Sequence, residues 1–256
     1  MPTKTAMTLD RVLSRFGIAS RTASLELIRA GRLKVNGKVE HDPERWVWPE
    51  RDVVHLDGRR LRPAPRTYLL LYKPKGVITS HGDPDGRKTI YDLLESSDRW
   101  VAPVGRLDKD TSGLLLLTND TAFGHAVMSP ESQVPKTYMA KINALLSDET
   151  IAQLARGVEM KRGDWARPQH VRRLEDRGKY TWLEVVLTEG KDREVRRMVE
   201  AVGFKVLKLV RTRIGPLTLE GLEVGKWRHL TGREIAALQG KPATTASRPH
   251  ALKAQY

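Results

Sequence analysis

No cysteine occurs in the chain, which removes disulfide frameworks, thiolate nucleophiles, iron-sulfur clusters and zinc fingers from consideration. Long apolar runs are also missing: the longest span only a few residues, far short of the roughly 18 to 20 needed to cross a bilayer. The opening MPTKTAMT lacks the apolar stretch of a secretory signal. A soluble, cytoplasmic protein without a membrane partner is therefore expected. Negative charge is in deficit, with 31 Asp and Glu against 45 Lys and Arg and a formal net charge of +14. That excess points to a polyanionic partner, nucleic acid first. The alternatives are a merely basic solvated surface and an anionic membrane. The spread of Lys and Arg along the chain, away from any hydrophobic anchor, disfavours the membrane.

The chain has 256 residues, room for a large domain with a small one attached. Residues 1 to 8 and 241 to 256 lack apolar periodicity and are expected to be disordered, the second stretch as a basic tail. Between them, LRPAPRT at 61 to 67 interrupts the apolar pattern with two prolines and marks a linker. The expected domains are residues 8–62 and 67–240.

In the first domain, Leu9, Val12, Leu13 and Phe16 follow helical spacing and Gly17 ends the helix. Ser20 caps a second helix carrying Ala23, Leu27 and Ile28, which stops at Gly31. Asn36-Gly37 and Asp57-Gly58, each between β-prone runs, predict two hairpins. Two short helices before a small sheet place Arg11, Arg15, Arg21, Arg29, Arg32 and Lys34 around one surface, where they could contact phosphates. The stretch SRTASLELIRAGRLKVNG, residues 20 to 37, resembles the S4-type RNA-binding domain. That resemblance favours RNA contact over an ordinary solvated helix face.

The second domain starts with a predicted strand, Tyr68 to Tyr72, followed by the turns KPKG and HGDPDG, and IYDLL reads as a helix start. Leu114 to Leu117 form a short apolar run bounded by turn residues, which predicts a buried strand. TWLEVVLT at 181 to 188 is another strand. Val195, Met198, Val199 and Val202 form a stripe ending at Gly203, which predicts an amphipathic helix of about three turns. KVLKLVR returns as a strand and IGPL turns. An α+β fold with a largely antiparallel mixed sheet and flanking helices is expected.

Within GRLDKDTSGLLLL, residues 105 to 117, Asp108 stands directly before the apolar run and is flanked by Arg106 and Lys109. Taken alone it reads as a turn residue paired with a neighbouring cation. A rigid position before a buried strand, surrounding small residues and a basic chain shift the balance towards catalysis. Asp83, Asp85, Asp108 and Asp110 also raise the possibility of a metal-dependent nuclease. Against it, DPDG explains itself as a turn and cations adjoin most of these carboxylates. The seven histidines show no HExxH spacing, and neither a Walker-type loop nor a serine elbow occurs.

VGRLDKDTSGLLLLTND at 104 to 120 is similar to the signature of the RsuA/RluB-type pseudouridine synthases. LLLYKPKGVITS, GRKTIYDLL, PKTYMAKI, LTEGKDREVRRMVEAVG and LVRTRIGPLTLEGLEVGKWRHLT follow in that family's order, covering nearly all of residues 8 to 238. The resemblance implies isomerisation of a specific uridine in ribosomal RNA, of the large subunit in preference to the small, with no cofactor and no metal. It implies Asp108 as the nucleophile, Arg196 as the arginine that pairs with it and Tyr138 as the tyrosine that stacks on the uracil. Arg106 matches the arginine that fills the space left by the flipped nucleotide, Leu209 an apolar wall beneath the base, and Lys73 and Lys75 phosphate contacts. A helical wheel places Arg196 about 60° from Val199, at the edge of the apolar stripe. Glu194 replaces the family's more usual Gln and is expected to point away from that inward direction. The implied partner is ribosomal RNA or a ribosomal assembly intermediate, and a monomer is expected. A noncatalytic RNA-binding or assembly protein is the rival reading, disfavoured by the joint presence of Asp108, Tyr138 and Arg196.

Overall fold

The computed structural model describes residues 6–94, 99–161 and 163–240. The chain divides into two compact units, Met1–Met128 with Gly221–Arg228 and Ser129–Glu220 with His229–Tyr256.

The first unit opens with β1 (Met7–Thr8), α1 (Leu9–Arg15) and α2 (Arg21–Arg29). The expectation of disorder through residue 8 is corrected: Met7 is buried and β1 pairs antiparallel with β4 (Trp46–Val47). The apolar side of Met7 joins the core that Leu9, Val12 and Leu13 begin, so order extends ahead of the helix. Ser20 accepts a hydrogen bond from the Ala23 amide at 3.1 Å and caps α2. Between α2 and β4 lie β2 (Leu33–Val35) and β3 (Lys38–Glu40), and after β4 come β5 (Val54–Leu56) and β6 (Arg59–Arg60). β2, β3, β5 and β6 form a four-stranded sheet in the order β3-β2-β5-β6. Asn36 and Gly37 both take positive φ, 50° and 86°, the geometry that a two-residue hairpin requires. Leu9, Val12, Leu13, Phe16, Ile28, Leu33, Val35, Val47 and Val54 close a small core of their own.

Residues 61–67 carry no regular structure but are pinned. The Asn119 side chain accepts from the Thr67 amide and donates to the Pro65 carbonyl, and the Thr118 hydroxyl donates to the Thr67 carbonyl. There follow β7 (Tyr68–Lys73), β8 (Ala102–Val104), β9 (Thr111–Thr118) and α3 (Thr121–Met128). β9 pairs antiparallel with β7 on one side and β8 on the other. Leu114 to Leu117 are all wholly buried, as a strand covered on both faces must be. IYDLL is shorter than expected, a 3₁₀ turn over Tyr91–Leu93.

The second unit holds β10 (Lys136–Ile142), α4 (Asp148–Arg156), β11 (Val158–Glu159), β12 (Trp165–Ala166), β13 (His170–Arg177), β14 (Tyr180–Leu187), α5 (Glu194–Ala201), β15 (Val206–Ile214) and β16 (Leu217–Thr218). β17 (Trp227–His229) and α6 (Gly232–Leu238) close the described chain. The strands run β13-β14-β10-β15 through antiparallel pairs, with β16 folded back on β15. Outside the named strands one isolated bridge, Ile78 with Thr89, is parallel. The α+β, largely antiparallel expectation is borne out. α5 has eight residues, about two turns instead of three, because Val202 already caps it and Gly203 turns the chain at φ +87°. Its Val195, Met198 and Val199 share a core with Ala140, Leu183, Val185 and Leu209. The stretch 241–256, expected to be a tail, lies outside the described residues.

Candidate active site

In the first unit, Asp108 sits half-buried in the loop between β8 and β9. That loop is held from several directions. The Thr79 hydroxyl donates to the Leu107 carbonyl at 2.8 Å, the Gly76 amide donates to the Lys109 carbonyl at 2.8 Å, and the Thr111 amide donates to the Asp108 carbonyl at 3.0 Å. Gly105, at φ +76°, turns the chain into the loop where a side chain would be strained. Asp108 is thus carried by a braced segment, as a reacting group must be.

Lys73 supplies a further brace and corrects an expectation. Its side chain is wholly buried and cannot reach a phosphate. Its ammonium donates to the carbonyls of Pro74 at 3.0 Å, Val77 at 2.5 Å and Thr111 at 2.9 Å, tying the KPKG turn to the start of β9. A three-donor ammonium is suited to three converging carbonyls. Lys75 and Arg106 are exposed, as phosphate or RNA contacts must be.

Asp83, one of the carboxylates considered for a metal, is occupied within its turn. Arg87 donates to both of its oxygens and, helped by its own backbone amide, holds the carboxyl down at about 2. Among the described residues no group of three or more His, Asp or Glu side chains is arranged to hold a metal ion.

The second unit gathers Tyr138, Arg196 and Leu209. Cross-strand pairing sets Tyr138 opposite Arg211 and Ala140 opposite Leu209, so all four share one face of the sheet. Leu209 is buried in the core, with Tyr138 packed half-buried against it. On α5, Arg196 is buried and donates from Nη1 to the Val206 carbonyl at 2.9 Å. Arg197 turns instead to Asp164 at 2.6 Å, and Arg193 is exposed. The direction read from the helical wheel holds.

Lys136 and Arg211 escaped the sequence reading. Lys136 precedes Tyr138 by two on β10, and Arg211 follows Leu209 by two on β15, so alternation puts each on the face of its strand-mate, while the register between the strands joins the two pairs. Burial, reinforced by the positive Arg211 and opposed by Glu194, lowers the Lys136 ammonium below its usual range. Glu194 reverses an expectation: it is buried, not turned away. Its carboxylate accepts the Lys191 amide at 3.0 Å, a capping contact that folds the side chain back over the start of α5. Burial pushes its carboxyl up from 4.5 to about 7, and nearby Glu189 acts in the same direction.

A raised carboxyl favours the folded state while protonated. This contribution is complete below pH 4.5 and is lost as pH rises to about 7. Glu194→Gln, which keeps the acceptor for the Lys191 amide but cannot ionise, is expected to match wild type near pH 5 and exceed it by about 2 kcal/mol at pH 8. Urea unfolding at both pH values measures the difference; a gap that does not change with pH would contradict the assignment.

A braced carboxylate, a base-sized aromatic beside buried cations and a separate basic module are the equipment of an enzyme acting on RNA. The family model for RNA pseudouridylate synthase matches residues 67–201, and that for the S4 domain matches residues 7–47. Ribosomal large subunit pseudouridine synthase B of Bacillus subtilis (strain 168) is 40% identical over 233 residues, spanning 90% of this chain and 95% of its own. An uncharacterized RNA pseudouridine synthase of Aquifex aeolicus (strain VF5) is 40% identical over 231 residues, 90% of this chain and 92% of its own. A crystal structure of a pseudouridylate synthase superimposes with a TM-score of 0.64 at 29% identity, covering 91% of this chain and 99% of the other. The chain belongs to the RNA pseudouridylate synthase family and carries an S4 domain at its amino terminus. It is an RNA-binding isomerase, and the RsuA/RluB-type resemblance is borne out. No helix among the described residues is long and apolar enough to cross a membrane.

Proposed function

We propose that the protein converts one specific uridine of large-subunit ribosomal RNA to pseudouridine, acting as a cytoplasmic monomer on free RNA or an assembling particle. Relatives in Bacillus subtilis, Yersinia pestis and Vibrio cholerae are named ribosomal large subunit pseudouridine synthase B, which supports the large subunit as substrate. The braced Asp108 carries the mechanistic reading: a carboxylate held by its backbone at three points needs no reorganisation before it attacks.

In this reading residues 8–62 dock the RNA and residues 67–240 perform the chemistry. The target uridine leaves its stack at a cost of a few kcal/mol, and Arg106 occupies the space it vacates. Asp108 attacks the uridine, and the glycosidic bond from C1′ to N1 breaks. The freed uracil, stacked on Tyr138 above the apolar Leu209, turns and bonds to C1′ through C5 as the bond to Asp108 breaks and its carboxylate is restored. The proton that leaves C5 is balanced by the one gained at N1, and atoms and electrons are conserved without an external redox partner. Arg196 supplies a fixed positive charge for the reaction. Lys75 contacts the RNA backbone nearby.

Within the amino-terminal module Arg11, Arg15 and Lys34 are exposed, whereas Arg21 is held by Asp10 at 2.8 Å and Arg32 by Asp57 at 2.5 Å. Replacing Arg11, Arg15 and Lys34 together by Glu is expected to weaken RNA binding at least tenfold and to lower the slope of log affinity against log salt by about 2. A titration over a salt series checks this, and an unchanged slope would remove the module from the binding surface. The substrate assignment is tested with purified protein on the two ribosomal RNAs separately: pseudouridine is expected in the large-subunit RNA, and formation only in the small-subunit RNA would overturn that choice.

A further inference from the structure

The sheet of the second unit has a second face, opposite the one that carries Tyr138 and Leu209, and its side chains are not those of an ordinary solvated surface. Register places Lys208, Lys141, Trp182 and Glu175 side by side on β15, β10, β14 and β13. Tyr180 stands two residues before Trp182 on the same side. Both rings are half-buried and approached by ammonium groups. Lys141 lies 3.9 Å from the Tyr180 ring centre and 5.9 Å from that of Trp182, Lys208 lies 6.0 Å from Trp182 and Lys179 lies 5.8 Å from Tyr180. A pocket of about 360 Å³ opens beside Trp182, lined by Met139, Leu174, Glu175 and Trp182. Leu174 is exposed because β13 bulges between Arg173 and Glu175, and the bulge tips it outwards at the pocket rim.

We propose that this face is a second RNA-contact surface, distinct from the isomerisation site and from the S4 domain, that takes unpaired nucleotides. Bases stack on Trp182 and Tyr180 while Lys141, Lys179 and Lys208 move from the rings to the phosphates. The argument is one of complementarity. Interleaved rings and cations on neighbouring strands match a polymer that alternates flat bases with negative charges, the arrangement that single-strand platforms use. A duplex conceals its base faces and would engage only the lysines. A hydrophobic protein partner would find every ring already beneath a cation. The acidic residues on the face do not cancel its charge: Glu184 is matched by Arg172 at 2.7 Å, which leaves Glu175 at the edge against three lysines.

The test uses the full-length protein and a labelled oligoadenylate of about 12 nucleotides, a length within the range that such platforms cover. It contains no uridine, so the outcome is independent of the isomerase reading. Trp182→Ala is expected to weaken binding about tenfold with the salt slope unchanged, because stacking releases no counterions. The Lys141→Glu, Lys208→Glu pair is expected to weaken it at least tenfold and lower the slope by about 1.5. Both losses are expected with the single strand, and Trp182→Ala is expected to leave the affinity for a duplex of equal length unchanged. The lysine pair, on side chains outside the core, carries the test if Trp182→Ala fails to fold. Wild-type affinity in the folded variants would overturn the proposal. So would a Trp182→Ala loss equal on duplex and single strand, or an unchanged RNA affinity with an altered sedimentation coefficient, which would assign the face to a second copy of the chain.

Discussion

Asp108→Asn is expected to reduce turnover by about 10⁴-fold or more, the scale on which loss of a nucleophile falls, while leaving RNA affinity nearly unchanged. The substitution preserves the size of the side chain. It also leaves in place the backbone hydrogen bonds that fix the loop through the carbonyls of Leu107, Asp108 and Lys109. What disappears is the negative charge that bonds to the substrate. Turnover is measured as pseudouridine formed per enzyme under single-turnover conditions, with binding followed in parallel. Appreciable product from the purified variant would end the nucleophile assignment. A parallel loss of binding would mean that Asp108 holds the loop and does not react.

Lys73→Met is expected to cost about 3 kcal/mol of stability and much of the activity. Methionine fills most of the volume of the lysine stem but strands the carbonyls of Pro74, Val77 and Thr111, of which the buried Val77 and Thr111 cost about 1 to 3 kcal/mol each without a donor. Relief of the buried ammonium's desolvation offsets part of that sum. Lys75→Met, two residues away and exposed, is expected to alter stability by less than about 0.5 kcal/mol and to weaken RNA binding instead. Denaturant unfolding of the two variants separates the roles. Equal stability would show that the buried ammonium does not brace the loop.

The contrast between these lysines shows where sequence stops being informative. In KPKG the two read alike as basic loop residues, and only the fold decides that Lys73, the last residue of β7, is enclosed among the carbonyls of Pro74, Val77 and Thr111 while Lys75 is not. Other features were legible because they are local. Asn36-Gly37 specifies its own hairpin, Ser20 its own cap, and the run Leu114 to Leu117 its own burial. Asp108 was legible in a different way: its spacing alone fits a capping turn residue, and the ordered set of motifs along the chain singled it out. The neighbours of Tyr138 were hidden because they come from β15, some 70 residues later, in a register shifted by a bulge between Thr137 and Tyr138. Glu194 was misread because a helix wheel locates a residue around the axis but says nothing of a first-turn side chain folding back to the Lys191 amide. Met7 belongs to the same class, a terminal residue ordered by a strand pairing 40 residues away.

The most direct measurement is a map of pseudouridine across both ribosomal RNAs in a strain lacking this protein, compared with strains restored by wild type or by Asp108→Asn. One large-subunit site is expected to vanish with the protein, to return with wild type and to stay absent with the variant. A map unchanged by the loss of the protein, or a site restored equally by Asp108→Asn, would contradict the account.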